Sequence, residues 1–347
     1  MTKFNQDHNY DFRISVDSDR QIRAPLPRGL THNSMSMDFG SVTDEVMACQ
    51  NSAALFDYSF LLRILIKGPA AVQGVSELCG RDFSDMHVGG IRYALLTDCD
   101  GWLVSDLTIW RSKLDQLEMM TGRAEDLTSI KKSLAGYDLQ IIDVSRETAV
   151  LALQGPETFS LLSKIARKIN RSEIPYFSFR DLSLDGVPCR VGRLGYTGFD
   201  GVELLSAVED ATSLWGLLSE YAPPAGFGAA NYLRLRAGLP LFTHEFRPLV
   251  RAADIGLKRV RRQGKLFADC AAQRVSRICF SARSAIDGGV NKKTISNLLW
   301  TSEDAFPPER GSIAITSIIP DLMPHEHIGM GYVVYKLKGE PLLHSSN

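Results

Sequence analysis

Arg193-Leu194-Gly195-Tyr196-Thr197-Gly198-Phe199-Asp200-Gly201-Val202-Glu203 sets three glycines and one isolated glutamate between two apolar runs. Glycine admits φ > 0 and the close approach of a flat ligand. The stretch therefore reads as a turn between two strands, with Glu203 inside the second, Val202-Glu203-Leu204-Leu205. A carboxylate in a strand pattern needs a partner unless it points to water from a bulged hairpin.

Outward from this turn the chain carries one plan twice. The first copy has a strand over Leu62–Ile66, Gly68-Pro69 opening a helix through Leu78, and a hairpin of Arg92–Thr97 and Trp102–Trp110 turned at Asp100-Gly101. The second has a strand over Ala149–Leu153, Gly155-Pro156 opening a helix through Arg167, and paired strands near Val187–Leu194 and Val202–Ser206. Further elements follow each copy: a helix Ala124–Leu134 with a strand Leu139–Ile142, and helices Val208–Glu220 and Ala229–Gly238. Such a duplicated β-α-β-β unit predicts an α+β fold with sheets of ferredoxin-like type. The tail from Arg274 is richer in β-branched residues and turns, as expected of a small β-barrel.

The 347 residues, 44% of them apolar, suffice for two or three domains with real cores. A formal charge of -1 with acids and bases interspersed gives no footprint for nucleic acid or an anionic membrane, so the expected partner is a small molecule. Met1–Arg13 is polar, with no apolar core of a leader, and no later apolar run spans a bilayer; the expectation is a cytoplasmic monomer or homodimer. Cys49, Cys79, Cys99, Cys189, Cys270 and Cys279 form no CxxC pair and read as reduced packing residues, not a disulfide framework or zinc site. His325-Glu326-His327 reads as a surface loop, not a metal site, and the basic run Lys258–Arg262 as a solvated face or as cations for a polyanionic tail.

The opening stretch resembles the Tyr-Thr-Gly-Glu-x-Gly-x-Glu signature of the glycine-cleavage T-protein (aminomethyltransferase) family, which binds tetrahydrofolate and transfers one-carbon units. Other blocks resemble the family in the same order: Ala54-Leu55-Phe56-Asp57-Tyr58-Ser59, Ile64–Ala71, Gly101–Leu107, Leu151-Ala152-Leu153-Gln154-Gly155-Pro156, Leu233–Leu241, and Ile315-Thr316-Ser317 with Ile328–Val333. The resemblance implies a three-lobed cloverleaf of two ferredoxin-like units plus a C-terminal small β-barrel. The lobes expected are residues 1–56 with 147–250 as the folate-binding lobe, 57–146 as the second, a linker 251–273, and 274–347 as the barrel.

A carboxylate accepts two parallel hydrogen bonds from an N–H/NH₂ edge, and a pterin ring presents one. On the resemblance, Glu203 would anchor the pterin, with Tyr93, Tyr196, Gly198 and Gly201 lining the ring slot. The family's Asp-Asp pair on the first hairpin is Ser105-Asp106 here, and its important acid, taken as the first of the pair, is thus expected to be missing. Asp106 reads equally as a structural partner and as a site residue, because neighbouring strand residues point to opposite faces. Ser105 would face the donor, Trp102 and Phe199, the latter replacing the first Glu of the signature, would bind it, and Trp110 is a further aromatic on the same hairpins.

An alkyl-onium donor needs no general acid and suits aromatic faces. The expected activity is therefore methyl transfer from a small donor to N5 of tetrahydrofolate, the Ser105-Asp106 pattern resembling dimethylsulfoniopropionate demethylases. Two alternatives stand beside it: a glycine-cleavage-type aminomethyltransferase served by a lipoyl carrier protein, and a folate-binding accessory protein without turnover. His244-Glu245 is a further candidate for lining the folate opening.

Overall fold

Each copy of the repeated plan passes from strand to helix through a glycine in a backbone conformation that L side chains rarely adopt, Gly68 at φ +138° and Gly155 at φ +144°. A Cβ on Gly68 would lie 2.8 Å from the Asp138 carbonyl oxygen, and one on Gly155 2.3 Å from that of Ser52, so only glycine fits either place. The computed structural model describes residues 36–166, 169–246, 248–255, 261–262, 265–266, 275–283, 304, 306–308, 312–322 and 326–334. Met1–Arg13, most of the basic linker, Cys270 and His325 lie outside the described residues.

In chain order, α1 (Val42–Asn51) leads into β1 (Ala54–Asp57), β2 (Leu62–Lys67), α2 (Ala71–Cys79), β3 (Ile91–Thr97), β4 (Leu103–Lys113) and β5 (Gln116–Thr121). Then come α3 (Asp126–Ser133), β6 (Gln140–Asp143), β7 (Thr148–Gln154), α4 (Thr158–Ile165), β8 (Phe179–Leu184), β9 (Val187–Gly192) and β10 (Gly201–Ala207). The remainder is α5 (Ala211–Ser219), β11 (Pro224–Ala225), α6 (Phe227–Arg236), α7 (Phe242–Glu245), β12 (Arg261–Arg262), β13 (Lys265–Leu266), β14 (Ser276–Arg283), β15 (Ile313–Pro320) and β16 (Glu326–Val333). This is the mixed α+β content expected, with β5 and β8 as strands the sequence reading passed over.

The chain divides into two compact units, residues 1–63 with 143–231, and 64–142 with 232–347. Residues 232–250, expected in the first lobe, belong to the second unit. The first unit holds a six-stranded sheet in the order β11-β1-β7-β10-β9-β8. Strand alternation splits its residues cleanly. Leu55, Leu151, Leu153, Val191, Val202 and Leu204 enter a core with Phe159, Leu161 and Leu162 of α4 and Leu214, Trp215 and Leu218 of α5. Phe56, Ala152, Gln154 and Glu203 are left on the other face.

The second unit holds a five-stranded sheet, β3-β4-β5-β2-β6, and an antiparallel sheet, β14-β16-β15. Leu95 and Leu103 of the β3/β4 hairpin pack with Phe246, Val250, Ala252, Val275, Ala314 and Tyr332, joining the hairpin to the C-terminal strands. No helix among the described residues is long and apolar enough to cross a membrane.

Candidate functional site

In the first unit, the glycine-rich stretch is a loop between β9 and β10 held from beneath by one buried side chain. Gln154, at the end of β7, donates from Nε2 to the carbonyls of Leu194 and Val202, both at 3.1 Å, and its Oε1 accepts from the Thr197 hydroxyl at 3.2 Å. The three bonds tie both ends and the middle of the loop to one amide. Gly195 and Gly201 make room for it: a Cβ on either would lie 1.7 and 2.6 Å from Gln154 side-chain atoms. A second clasp closes the loop, Arg193 donating through Nε and Nη2 to the two carboxylate oxygens of Asp200 at 3.0 and 2.9 Å. This bidentate geometry is the strong form of a carboxylate–guanidinium pair.

Within the loop, Gly198 takes φ +79° and Phe199 is exposed at the surface. Glu203 follows on β10, in a row across the sheet that reads Phe56, Ala152, Glu203, Gly192. The small neighbours on both sides leave space around its side chain. Glu203 is only 7% exposed, and no group among the described residues hydrogen-bonds to its carboxyl. Burial alone pushes its pKa up to about 7. Glu203, Cys49 and Tyr196 are each close enough to Tyr58 to raise its pKa further beyond the effect of burial, and the Cys49 thiol, pushed up to about 12 by burial, stays protonated. A buried carboxyl without an internal donor suits a ligand that brings its own N–H groups.

In the second unit the Ser105-Asp106 pair splits across the sheet, and it splits opposite to expectation. Ser105 is fully buried and donates to Asp126 of α3, which also accepts from Thr121 at 2.7 Å. Its hydroxyl is thus enclosed beneath the sheet, not presented to a donor. Asp106 lies on the other, half-buried face and accepts from the Tyr93 hydroxyl at 3.0 Å. Burial raises its pKa to about 6, against the lowering effect of that bond. The carboxyl on the more open face of this hairpin is thus Asp106, with the Tyr93 hydroxyl donating to it.

The aromatic expectations separate in the same way. Trp110 is wholly buried, bonded through Nε1 to Thr108 at 3.0 Å, and belongs to the core. One face of Trp102 is covered by the Arg251 guanidinium, 4.4 Å from the ring centroid. Glu245, considered as lining, is instead a structural anion: it pairs with Arg234 at 2.7 Å, both side chains having no exposure, and accepts from Leu241 N–H, Thr316 and Ser317.

Gln154 and Asp200, which hold the glycine-rich loop, Asp126, which engages Ser105, and Tyr58, on the face of Glu203, were not singled out by the sequence. Gln154 carried a usable signal, a lone amide ending the apolar run Leu151-Ala152-Leu153. The others show no local pattern.

The model of the GCVT N-terminal domain family matches residues 24–265. An aminomethyltransferase of Thermotoga petrophila is 32% identical over 241 residues, covering 67% of this chain and 66% of its own length. One of Alkaliphilus metalliredigens is 34% identical over 221 residues, covering 61% and 60%. The chain thus aligns with slightly less than two thirds of these relatives. In fold it is similar to the glycine cleavage system aminomethyltransferase T from Bartonella henselae, with TM-score 0.71, 23% identity, and coverage of 86% of this chain and 83% of that one. With a family model that matches residues 24–265 of its 347, the chain belongs to the GCVT N-terminal domain family.

Proposed function

We propose that this protein is a tetrahydrofolate-dependent one-carbon transferase, and that the group it moves is an aminomethyl group. The observation that carries the folate reading is Glu203, an enclosed carboxyl with no donor among the described residues, on a row whose neighbours are Ala152 and Gly192. The N–H/NH₂ edge of a pterin supplies the two donors that such a group lacks. Tetrahydrofolate, when bound, supplies the N5 nucleophile that accepts the carbon.

Two observations favour aminomethyl over methyl transfer. The relatives carry the aminomethyltransferase name. The reading of an acid-free donor site rested on Ser105, yet that hydroxyl is committed to Asp126, while Asp106 keeps a carboxyl oriented by Tyr93. Its pKa of about 6 suits a group that must take or hold an amine proton near neutrality. A lipoyl-type carrier is the corresponding donor, and strands β14 to β16 are read as part of the barrel of a third lobe.

Thermal unfolding with saturating tetrahydrofolate should show stabilisation of about 2.7 kcal/mol at a hundredfold excess over Kd. Glu203→Ala should abolish most of it. Asp106→Asn should keep that shift but lower the transfer rate about 10²–10⁴-fold, the usual range for loss of a general acid or base. No shift with the wild type would remove the folate reading. Undiminished transfer by Asp106→Asn would return the methyl-donor reading, and a wild type that binds folate but moves neither group is the accessory protein.

A further inference from the structure

Tyr58 continues the line of β1: its N–H donates to the Val150 carbonyl at 2.9 Å, extending the ladder with β7. Strand alternation sets it on the face of Phe56, the same face that carries Glu203 two strands away. Its ring is fixed by Phe56 and Phe60, with centroids 5.9 and 6.0 Å away. The residue is 5% exposed, and its hydroxyl is buried with no hydrogen-bond partner among the described residues. Buried tyrosine hydroxyls ordinarily find one. Two neighbouring polar groups in one unit therefore lack a protein partner among the described residues, the wholly enclosed Tyr58 hydroxyl and the nearly buried Glu203 carboxyl, and they are not bonded to each other.

Apolar packing explains the ring of Tyr58 but not its oxygen, since phenylalanine would fill the same space between Phe56 and Phe60. Burial, followed by the proximity of Glu203, Cys49 and Tyr196, holds the phenol far above its ordinary pKa, so it is a neutral donor at any working pH. A neutral O–H beside a carboxyl complements a ligand edge that presents a carbonyl oxygen next to its N–H groups.

We propose that Tyr58 is a ligand-contacting, specificity-determining residue, its hydroxyl donating to a ring carbonyl adjacent to the N–H edge taken by Glu203. The inference rests on the folate reading and sharpens it. A 2-amino-4-oxo ring offers NH₂, N–H and C=O in sequence, so Glu203 reads the first two and Tyr58 the third. A 4-amino ring has a donor where Tyr58 expects an acceptor.

The test is equilibrium binding of tetrahydrofolate and of its 2,4-diamino counterpart to wild type, Tyr58→Phe and Glu203→Gln, with thermal unfolding of each protein without ligand. Tyr58→Phe should bind tetrahydrofolate about tenfold more weakly, the loss of one good hydrogen bond, and should change the diamino compound's affinity much less. Its ligand-free melting temperature should stay level or rise, because an unsatisfied buried hydroxyl has been removed. A hydroxyl with a merely structural role cannot lower affinity while raising stability. Unchanged tetrahydrofolate affinity in Tyr58→Phe, with a clear loss in Glu203→Gln, overturns the role of Tyr58 and leaves the folate reading intact. Equal losses for both ligands, or a lower melting temperature without ligand, also overturn it. No binding by wild type removes the folate reading, and this inference with it.

Discussion

Glu245 and Glu203 are both enclosed glutamates, one in each unit, and their surroundings differ in one respect that decides their use. Glu245 accepts from Arg234, the Leu241 N–H, Thr316 and Ser317, so every lone pair has a donor supplied by the chain. Glu203 has no such donor among the described residues and is flanked by Ala152 and Gly192. The first arrangement holds α6, α7 and β15 together. The second leaves a buried carboxyl without an internal donor, which costs the folded chain and, on the proposed function, is relieved by a ligand. Asp106 lies between these extremes, its half-buried carboxyl accepting from the Tyr93 hydroxyl.

The contrast breaks first at Glu245. Glu245→Ala should lower stability by about 3–5 kcal/mol, because it strands the Arg234 guanidinium without its counter-ion in the interior. Denaturant unfolding measures this; a change below 1 kcal/mol would mean the cluster is not a structural anion site.

Glu203→Gln should act in the opposite direction on the ligand-free protein. The folded pKa of about 7 exceeds the ordinary glutamate value. The folded state therefore holds a proton that the unfolded chain has already released, and this contribution is full in acid and is lost as pH rises through about 7. Wild type should accordingly lose stability relative to Glu203→Gln across that interval, by about 1–3 kcal/mol in total. Identical pH profiles of unfolding for the two proteins would show that Glu203 has a hidden partner.

Gln154→Leu should cost about 1–3 kcal/mol, since the Leu194 and Val202 carbonyls and the Thr197 hydroxyl lose their common partner. It should also weaken tetrahydrofolate binding without touching any ligand group, because the loop that leads into Glu203 is no longer held. Affinity unchanged alongside lost stability would confine Gln154 to folding.

The smallest effect belongs to Ser105→Ala, at about 1 kcal/mol of stability, with Thr121 still satisfying Asp126 and transfer unaffected. A large drop in transfer at preserved stability would put Ser105 back at the reacting centre.

The two strand–Gly–helix units were legible in the chain because their signals are local. An apolar run, a glycine that no other residue can replace and a proline that starts a helix all lie within a few residues of one another, as Gly68-Pro69 and Gly155-Pro156 illustrate. The carboxyl at Glu203 was legible for the same reason, as an acid in an apolar strand. β5 and β8 were missed because Gln116–Thr121 and Phe179–Leu184 lack a clean alternation.

By itself, then, the sequence determined the class of fold, the two strand–glycine–helix units and the position of the glycine-rich loop before Glu203, since each follows from spacing along the backbone. Only the tertiary structure decided which of two adjacent hairpin residues faces inward. Alternation states that Ser105 and Asp106 diverge, but the closed side is set by Asp126, 21 residues away. Likewise Gln154 meets Leu194 at a separation of 40 residues, and Tyr58 meets Glu203 only because β7 stands between their strands. Hydrogen-bond partners separated this far in sequence leave no periodic trace in it, so whether a buried polar group is satisfied, and hence whether it serves the fold or a ligand, is a property of the folded chain alone.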